Sequence, residues 1–184
     1  MKIEKIHHVA YRCHDARETV DFYERVLNMT LLGAVAEDHV PSTKANAPYM
    51  HVFLDAGNGN MLAFFELPTF PPMGRDPATP DWVQHIAFQV ETYEELMEAK
   101  ARAEEAGLEV VGVTDHKIFK SVYFFDPNGH RLEVATWTSS PEEMRNLAGN
   151  ARPMIEEWSR TKVPPKHNAW IHVGEFTGTS GQHE

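Results

Sequence analysis

Glu133 stands in the middle of an otherwise apolar run, Arg131 to Trp137, that reads as a strand. Period-two alternation puts Arg131, Glu133 and Ala135 on one face and Leu132, Val134 and Thr136 on the other. The Leu-Val face suits a covering helix. The Glu133 carboxylate therefore points into whatever space the opposite face encloses, and there it needs a cation or a metal as partner. Two histidines occupy matching settings elsewhere, His8 in His-Val-Ala-Tyr and His85 in His-Ile-Ala-Phe. By the same alternation each shares a face with a small residue, Ala10 or Ala87, which leaves room beside the ring. A lone strand histidine is more often a structural residue, but two at equivalent positions together with an inward carboxylate form a metal-binding set. Two imidazoles and one carboxylate suit Fe(II) with three positions left open, with Mn(II) or another divalent metal as the alternative. The position of the first half that matches Glu133 is Ala63, so no fourth protein ligand is expected. Glu66 has the opposite facing to Ala63 and is read as turned outward. His7 would face the helix side and is set aside, and His14, His39 and His130 sit near turns and are read as solvent-exposed.

The elements that must position these residues come in two matching series. Ile6 to Cys13 reads as a strand, and Asp15 with Glu18 starts a helix whose apolar face is Ala16, Val20, Tyr23 and Leu27. Strand candidates follow at Thr30 to Glu37, Tyr49 to Ala56 and Asn60 to Leu67. Five prolines, Pro68, Pro71, Pro72, Pro77 and Pro80, then interrupt any regular element. Beyond them the order repeats. Trp82 to Val90 is a strand, and Thr92 with Glu95 starts a helix with Leu96, Ala99, Ala103 and Ala106 on one face, closed by Gly107. Strands at Leu108 to Thr114, Ser121 to Phe125 and Arg131 to Trp137 complete the second series.

Such an internal duplication predicts an α+β fold: two tandem βαβββ modules whose curved mixed sheets form one cleft, helices outside, plus a C-terminal helical tail. The expected divisions are 1–67 for the first module, 68–81 for the linker, 82–138 for the second module and 139–184 for the tail. In the tail, Ser140-Pro141-Glu142-Glu143 starts a helix, interrupted at Gly149 and Pro153 and ended by Pro164-Pro165, with a mobile end beyond. It is read as a helix packed on the sheet, with a lid or a dimer contact as the sharper reading, so a homodimer is among the expectations.

The twenty residues from Thr114 to Glu133 carry a resemblance. His116, Val122-Tyr123, the turn Asp126-Pro127-Asn128-Gly129 and Glu133 follow one another with a spacing similar to the signature of type I extradiol ring-cleavage dioxygenases, such as the short biphenyl-2,3-diol 1,2-dioxygenases. Those enzymes belong to the vicinal oxygen chelate superfamily, with glyoxalases and fosfomycin-resistance proteins, and its architecture is the paired-module fold expected above. The resemblance implies that His8, His85 and Glu133 are the metal ligands. It also implies that His116 and Tyr123 hydrogen-bond the bound catecholate and oxygen, and that the substrates are a small aromatic diol and O2. Family members of this kind have a further active-site histidine near the start of the last strand of the first module. Asn60 stands there and is read as a substrate-binding residue that donates a hydrogen bond but cannot exchange a proton. His51, in a strand of undetermined facing, or a water, is the candidate to replace that histidine. Phe88, Phe125 and Trp137 are aromatic residues available to the pocket.

Composition bounds the rest. The 184 residues, 42% hydrophobic, can bury a sizeable interior. A net charge of −10 without an offsetting basic patch argues against nucleic acid and anionic membrane surfaces. A single cysteine, Cys13, excludes a disulfide framework and fits a reducing cytoplasm. No membrane span or signal segment is evident. The expected activity is Fe(II)-dependent extradiol ring cleavage. The rivals are an isomerase or lyase of the glyoxalase or epimerase type, using a divalent metal as Lewis acid, and a small-molecule binding protein without turnover.

Overall fold

A computed structural model describes residues 1–164; Pro165, His167, His172, His183 and the end of the tail read as mobile lie outside the described residues. The elements in order are β1 (His8–Cys13), α1 (Ala16–Leu27), β2 (Leu31–His39), β3 (Asn46–Asp55), β4 (Met61–Glu66), β5 (His85–Gln89), α2 (Tyr93–Glu105), β6 (Val111–Asp115), β7 (Phe119–Phe125), β8 (Arg131–Trp137) and α3 (Pro141–Thr161). They build two four-stranded sheets of the same topology, β1-β4-β3-β2 and β5-β8-β7-β6. In each sheet the first strand runs parallel to the fourth and the remaining pairs are antiparallel. The fold is α+β with two tandem βαβββ modules and a C-terminal helix, as the duplication predicts, but the helices lie in the core shared by the two sheets rather than outside a common cleft.

Local chemistry explains the helices. Asp15 accepts the Glu18 backbone N–H and starts α1, and complete capping boxes at Thr92/Glu95 and Ser140/Glu143 start α2 and α3. The Glu66 carboxylate accepts the first N–H of α1, from Ala16, at 2.8 Å. It thus lies on the helix side of its sheet, with opposite facing to Ala63. Helix α3 differs from expectation. It runs unbroken through Gly149 and Pro153 and buries no residue, so Ile155 and Trp158 remain exposed. The proline removes one helical donor, the N–H that would bond the Gly149 carbonyl, and the capping box at the start holds the helix against that loss.

The helix-facing residues of both sheets form one core. Val52, Leu54, Leu62 and Phe64 of the first sheet belong to the same buried cluster as Val122, Phe124, Leu132 and Val134 of the second, with Tyr23, Val26, Leu96 and Ala103 from the helices. Helices α1 and α2 meet, and Arg102 of α2 donates to the carbonyls of Val26 at 3.1 Å and Arg25 at 2.6 Å at the end of α1.

The β7–β8 turn secures the joint. Asp126 accepts from the Tyr23 hydroxyl at 3.0 Å and from the backbone N–H groups of Asn128 and His130, while the Asn128 amide donates to Thr19 and accepts the His14 N–H. His130, expected to be exposed, is half-buried. Its ring packs 4.8 Å from Tyr11, and Nε2 lies 2.7 Å from the Arg12 carbonyl, to which it donates. The Asp-Pro-Asn-Gly turn is therefore a staple between modules.

The linker is tied down as well. Arg12 donates to the Pro71 carbonyl at 2.6 Å and Arg75 to the Gly129 carbonyl at 2.9 Å. No helix among the described residues is long and apolar enough to cross a membrane.

Candidate metal centre

Strand β8 brings Glu133 to the face of the second sheet opposite the helix. The residue is only 3% exposed although it is ionisable and stands between Leu132 and Val134. Registry supplies its surroundings. Ala87 of β5 pairs with it on one side and Tyr123 of β7 on the other. The small Ala87 leaves the opening and Tyr123 closes the far wall. Oε1 accepts hydrogen bonds from the Tyr123 hydroxyl at 3.1 Å and from the Ser121 hydroxyl. Oε2 lies 2.9 Å from Nε2 of His85. Two hydroxyl donors make the buried carboxylate tolerable at Oε1 and leave Oε2 to its contact with His85.

The His85 ring carries a further constraint. Its Nδ1 lies 3.1 Å from the Val83 carbonyl oxygen, which can only accept. A neutral imidazole has one proton for two acceptors. With that proton on Nδ1, the Nε2 lone pair and Glu133 Oε2 converge on a single point, and a cation at that point, or a second ring proton, reconciles them. An imidazole held by a backbone carbonyl through one nitrogen, with the other aimed beside a carboxylate, is how metal-ligating histidines are oriented. The donor set fits a divalent metal.

His116 and Tyr123 also come together. The hydroxyl of Tyr123 lies 2.8 Å from His116 Nε2, in the turn after β6, and since that hydroxyl donates to Glu133, the imidazole N–H donates to it. The His116 ring stacks on Phe119 at 4.6 Å. Burial, the largest cause, pushes the Tyr123 phenol above its ordinary range. A connected line of hydrogen bonds thus runs from His116 through Tyr123 to the accepting Glu133, with the Ser121 donor beside it. Ser121 was not foreseen, although its position two residues before Tyr123 on the same strand face was the available signal.

His8 does not join this group. It lies on the non-helix face of the first sheet, exposed, with Nδ1 2.8 Å from Nδ1 of His7 and its ring 6.4 Å from Phe53. Among the described residues no group of three or more histidine, cysteine, aspartate or glutamate side chains could hold a metal within the chain. The reason is the shared core. Both helix faces are buried in it, so the faces bearing His8 and His85–Glu133 lie on the far sides of their sheets and do not meet.

Other expectations resolve as follows. His51 lies on the His8 face, stacked on Phe65 with ring centroids 3.6 Å apart, and its buried Nε2 has no hydrogen-bond partner among the described residues. Burial first, and His8 second, lower its pKa. Asn60 lies in the β3–β4 turn, where its amide donates to the Gly57 carbonyl at 2.9 Å. Phe88 is not available to a pocket on this face, because it alternates with Ala87 and packs into the core. Phe125 and Trp137 do share the Glu133 face, and Trp137 donates to the Gln89 side chain at 3.2 Å.

Comparison with known proteins agrees with this fold. Residues 5–134 match the model of the Glyoxalase/Bleomycin resistance protein/Dioxygenase superfamily, and the chain belongs to that family. Over 135 residues, 72% of this chain, it is 30% identical to MhqA from Bacillus subtilis (strain 168), a protein named as a ring-cleaving dioxygenase, but it spans only 40% of that relative's length. Among solved structures it resembles a glyoxalase family protein from Enterococcus faecalis, with 30% identity, 73% of this chain and 99% of that one covered, and a TM-score of 0.53. It also shares its fold with the fosfomycin resistance protein FosX from Listeria monocytogenes, solved with Mn(II) and sulfate ion, with 20% identity, 78% and 99% covered, and a TM-score of 0.54.

Proposed function

We propose that the chain is a non-haem Fe(II)-dependent extradiol dioxygenase that opens a catechol-like ring with O2, at a centre assembled between two copies. His85 and Glu133 of one copy and His8 of the other are its three protein ligands. The observation that carries the reading is the line His116–Tyr123–Glu133 leading to His85. A metal half-site wired to a hydroxyl and an imidazole suits a substrate that arrives with protons to lose. The name of MhqA, a relative of which this chain spans 40%, supports the same reaction class.

Several features support the second copy. Strands β1 and β5, which carry His8 and His85, are each an edge of their sheet, with one side unpaired among the described residues. The faces that bear the ligands also expose apolar residues: Val35, in register with His51, on the first, and Val111, Phe125 and Trp137 on the second. Covering these by a copy of the same chain would bring a His8 face onto a His85–Glu133 face, twice by symmetry.

The chain's own contributions follow from the geometry. Ser121 and Tyr123 fix the Glu133 carboxylate so that one oxygen is left for the cation. When substrate oxygen enters, the Tyr123 hydroxyl turns its single proton from Glu133 to that oxygen while the His116 N–H still donates to the phenol. The pair thus stabilises anionic oxygen on the bound catechol. Fe(II), when bound, supplies the electron exchange between ring and oxygen. The aromatic side chains His51, Phe53 and Phe65 of the other copy wall the opposite side and exclude water.

Mixed chains test both parts of this reading. His8→Ala and Glu133→Ala, expressed separately and loaded anaerobically with Fe(II), should show no oxygen uptake with 2,3-dihydroxybiphenyl or simple catechols. Co-expressed in equal amounts, they should recover about a quarter of wild-type uptake, since half the dimers are mixed and each mixed dimer has one intact site. No recovery, with mixed dimers demonstrated, would overturn the shared centre. Wild-type protein that holds its metal but takes up no oxygen would instead favour the isomerase or lyase reading, which the engagement of Asn60 with Gly57 already suits.

A further inference from the structure

A cavity of about 770 Å³ opens between the proline-rich linker and the β7–β8 turn, and its wall includes His85, Arg131, Arg75, Phe125 and Tyr11. Its charges are not equivalent. Arg75 is engaged, with Nη1 3.1 Å from Asp81, Nη2 donating to the Gly129 carbonyl and its guanidinium 4.4 Å from the Phe125 ring. Asp76 is engaged too, by the Thr79 hydroxyl and the Ala78 N–H. Arg131 alone among these charges forms neither an ion pair nor a hydrogen bond among the described residues. Its guanidinium lies over the Tyr123 ring at 4.4 Å, and its buried Nε makes no hydrogen bond. In a chain of net charge −10, a half-buried arginine without an ion pair is a site waiting for an anion.

Position says what kind of anion. Arg131 is the residue of β8 in register with His85, so it adjoins the half-site for the metal. The equivalent residue of the first module, in register with His8, is Met61. At this register position the charge is therefore present on the second sheet alone. A guanidinium held flat against a tyrosine ring presents planar N–H donors at its edge, a shape that matches a carboxylate, and Phe125 and Tyr11 offer apolar surface for a ring.

We infer that Arg131 is the specificity-determining residue of the site and that the substrate is an aromatic acid, its carboxylate held by Arg131 and its vicinal hydroxyls directed to the metal position beside His85 and Glu133. This deepens the proposed function and rests on it for the role of the hydroxyls, but the carboxylate contact is testable without any metal.

Calorimetric titration of the metal-free full-length protein should show benzoate binding about tenfold or more tighter than benzyl alcohol. With redox-silent Mn(II) bound, 2,3-dihydroxybenzoate should exceed catechol by a similar factor. Arg131→Met, which keeps the side-chain stem, should abolish both preferences while leaving Mn(II) and catechol affinities within about threefold of wild type. Arg131→Lys should restore part of the preference and guards against a folding defect in the first variant. Absence of a carboxylate preference in the wild type, or its survival in Arg131→Met, would overturn the assignment. Inorganic phosphate displacing benzoate at equal concentration would overturn the aromatic acid in favour of a tetrahedral anion. Should Mn(II) fail to bind at all, the metal-centre reading falls while the benzoate comparison still decides the role of Arg131.

Discussion

The two sheets have the same topology and registers that can be laid one on the other, yet their non-helix faces have diverged almost completely. Where the second sheet has Glu133 flanked by Ala87 and Tyr123, the first has Ala63 flanked by Ala10 and Phe53. Where the second has Ser121 opposite Ala135, the first has His51 opposite Phe65. One face became a polar, hydrogen-bonded carboxylate site and the other an aromatic wall with exposed His8. The helix-facing sides, by contrast, remain alike, with Leu62 and Phe64 matching Leu132 and Val134 in one core. Duplication keeps what packs, because both copies must fill the same interior. It frees what faces away, because those faces fill no common interior.

The sharpest way to break this comparison is to remove the carboxylate that distinguishes the faces. Glu133→Gln keeps the volume and the hydrogen-bonding shape but removes the charge, leaving His85 as the only ligand on its sheet. Retention of Fe(II) or Mn(II) after gel filtration, measured by elemental analysis, should fall about a hundredfold or more, the scale on which altered ligation changes metal affinity. Full occupancy in this variant would mean that Glu133 is a structural acid satisfied by Ser121 and Tyr123.

A smaller effect is expected at the joint that turns the two faces apart. Tyr23 is fully buried, and burial followed by the adjacent Asp126 carboxylate holds its phenol well above the ordinary range, so it remains a donor. Tyr23→Phe leaves one oxygen of the buried Asp126 without its hydroxyl donor, which should destabilise the protein by about 1–3 kcal/mol in urea unfolding. His85 and Glu133 lie on the far side of their sheet, so any Mn(II) affinity should stay unchanged. Loss of metal together with stability would show that the joint and the site are one unit.

How much of this was legible in the sequence differs between the same two sides. Alternation gives the facing of Glu133 and of His85 within their own strands because a strand's facing is a local property, and the paired His-x-Ala-aromatic settings make His8 the counterpart of His85. Capping pairs at Thr92/Glu95 and Ser140/Glu143 fixed the helix starts for the same reason. The docking of one module on the other was not legible. Asp126, Asn128 and His130 read locally as turn residues, and only the folded chain shows them holding Tyr23, Thr19 and the Arg12 carbonyl. Sequence pattern says which face is apolar but not which other apolar face covers it, and that choice decides whether His8 meets His85 within a chain.

Cys13 offers the gentlest test of the conserved inner side. It ends β1 at the place that Val90 occupies after β5, and it is only 2% exposed. If it is a core filler like that valine, its thiol should be inert. Burial is the main cause pushing the thiol up to about 11 from an ordinary value of 9.0, against a hydrogen bond to Thr19 that lowers it. At pH 8 the folded chain should therefore alkylate with iodoacetamide about a hundredfold more slowly than the chain in urea, with the thiolate deficit alone giving that factor. The linkage has a definite sign. The folded state holds its proton where the unfolded chain has lost it, so this contribution to stability is complete below pH 9 and is lost as pH rises toward 11. Cys13→Val should abolish that alkaline loss and cost little otherwise, since valine already fills the matching place. Rapid labelling of the folded protein at pH 8 would show that β1 opens from the core, and with it that the inner sides of the two modules are less alike than their packing indicates.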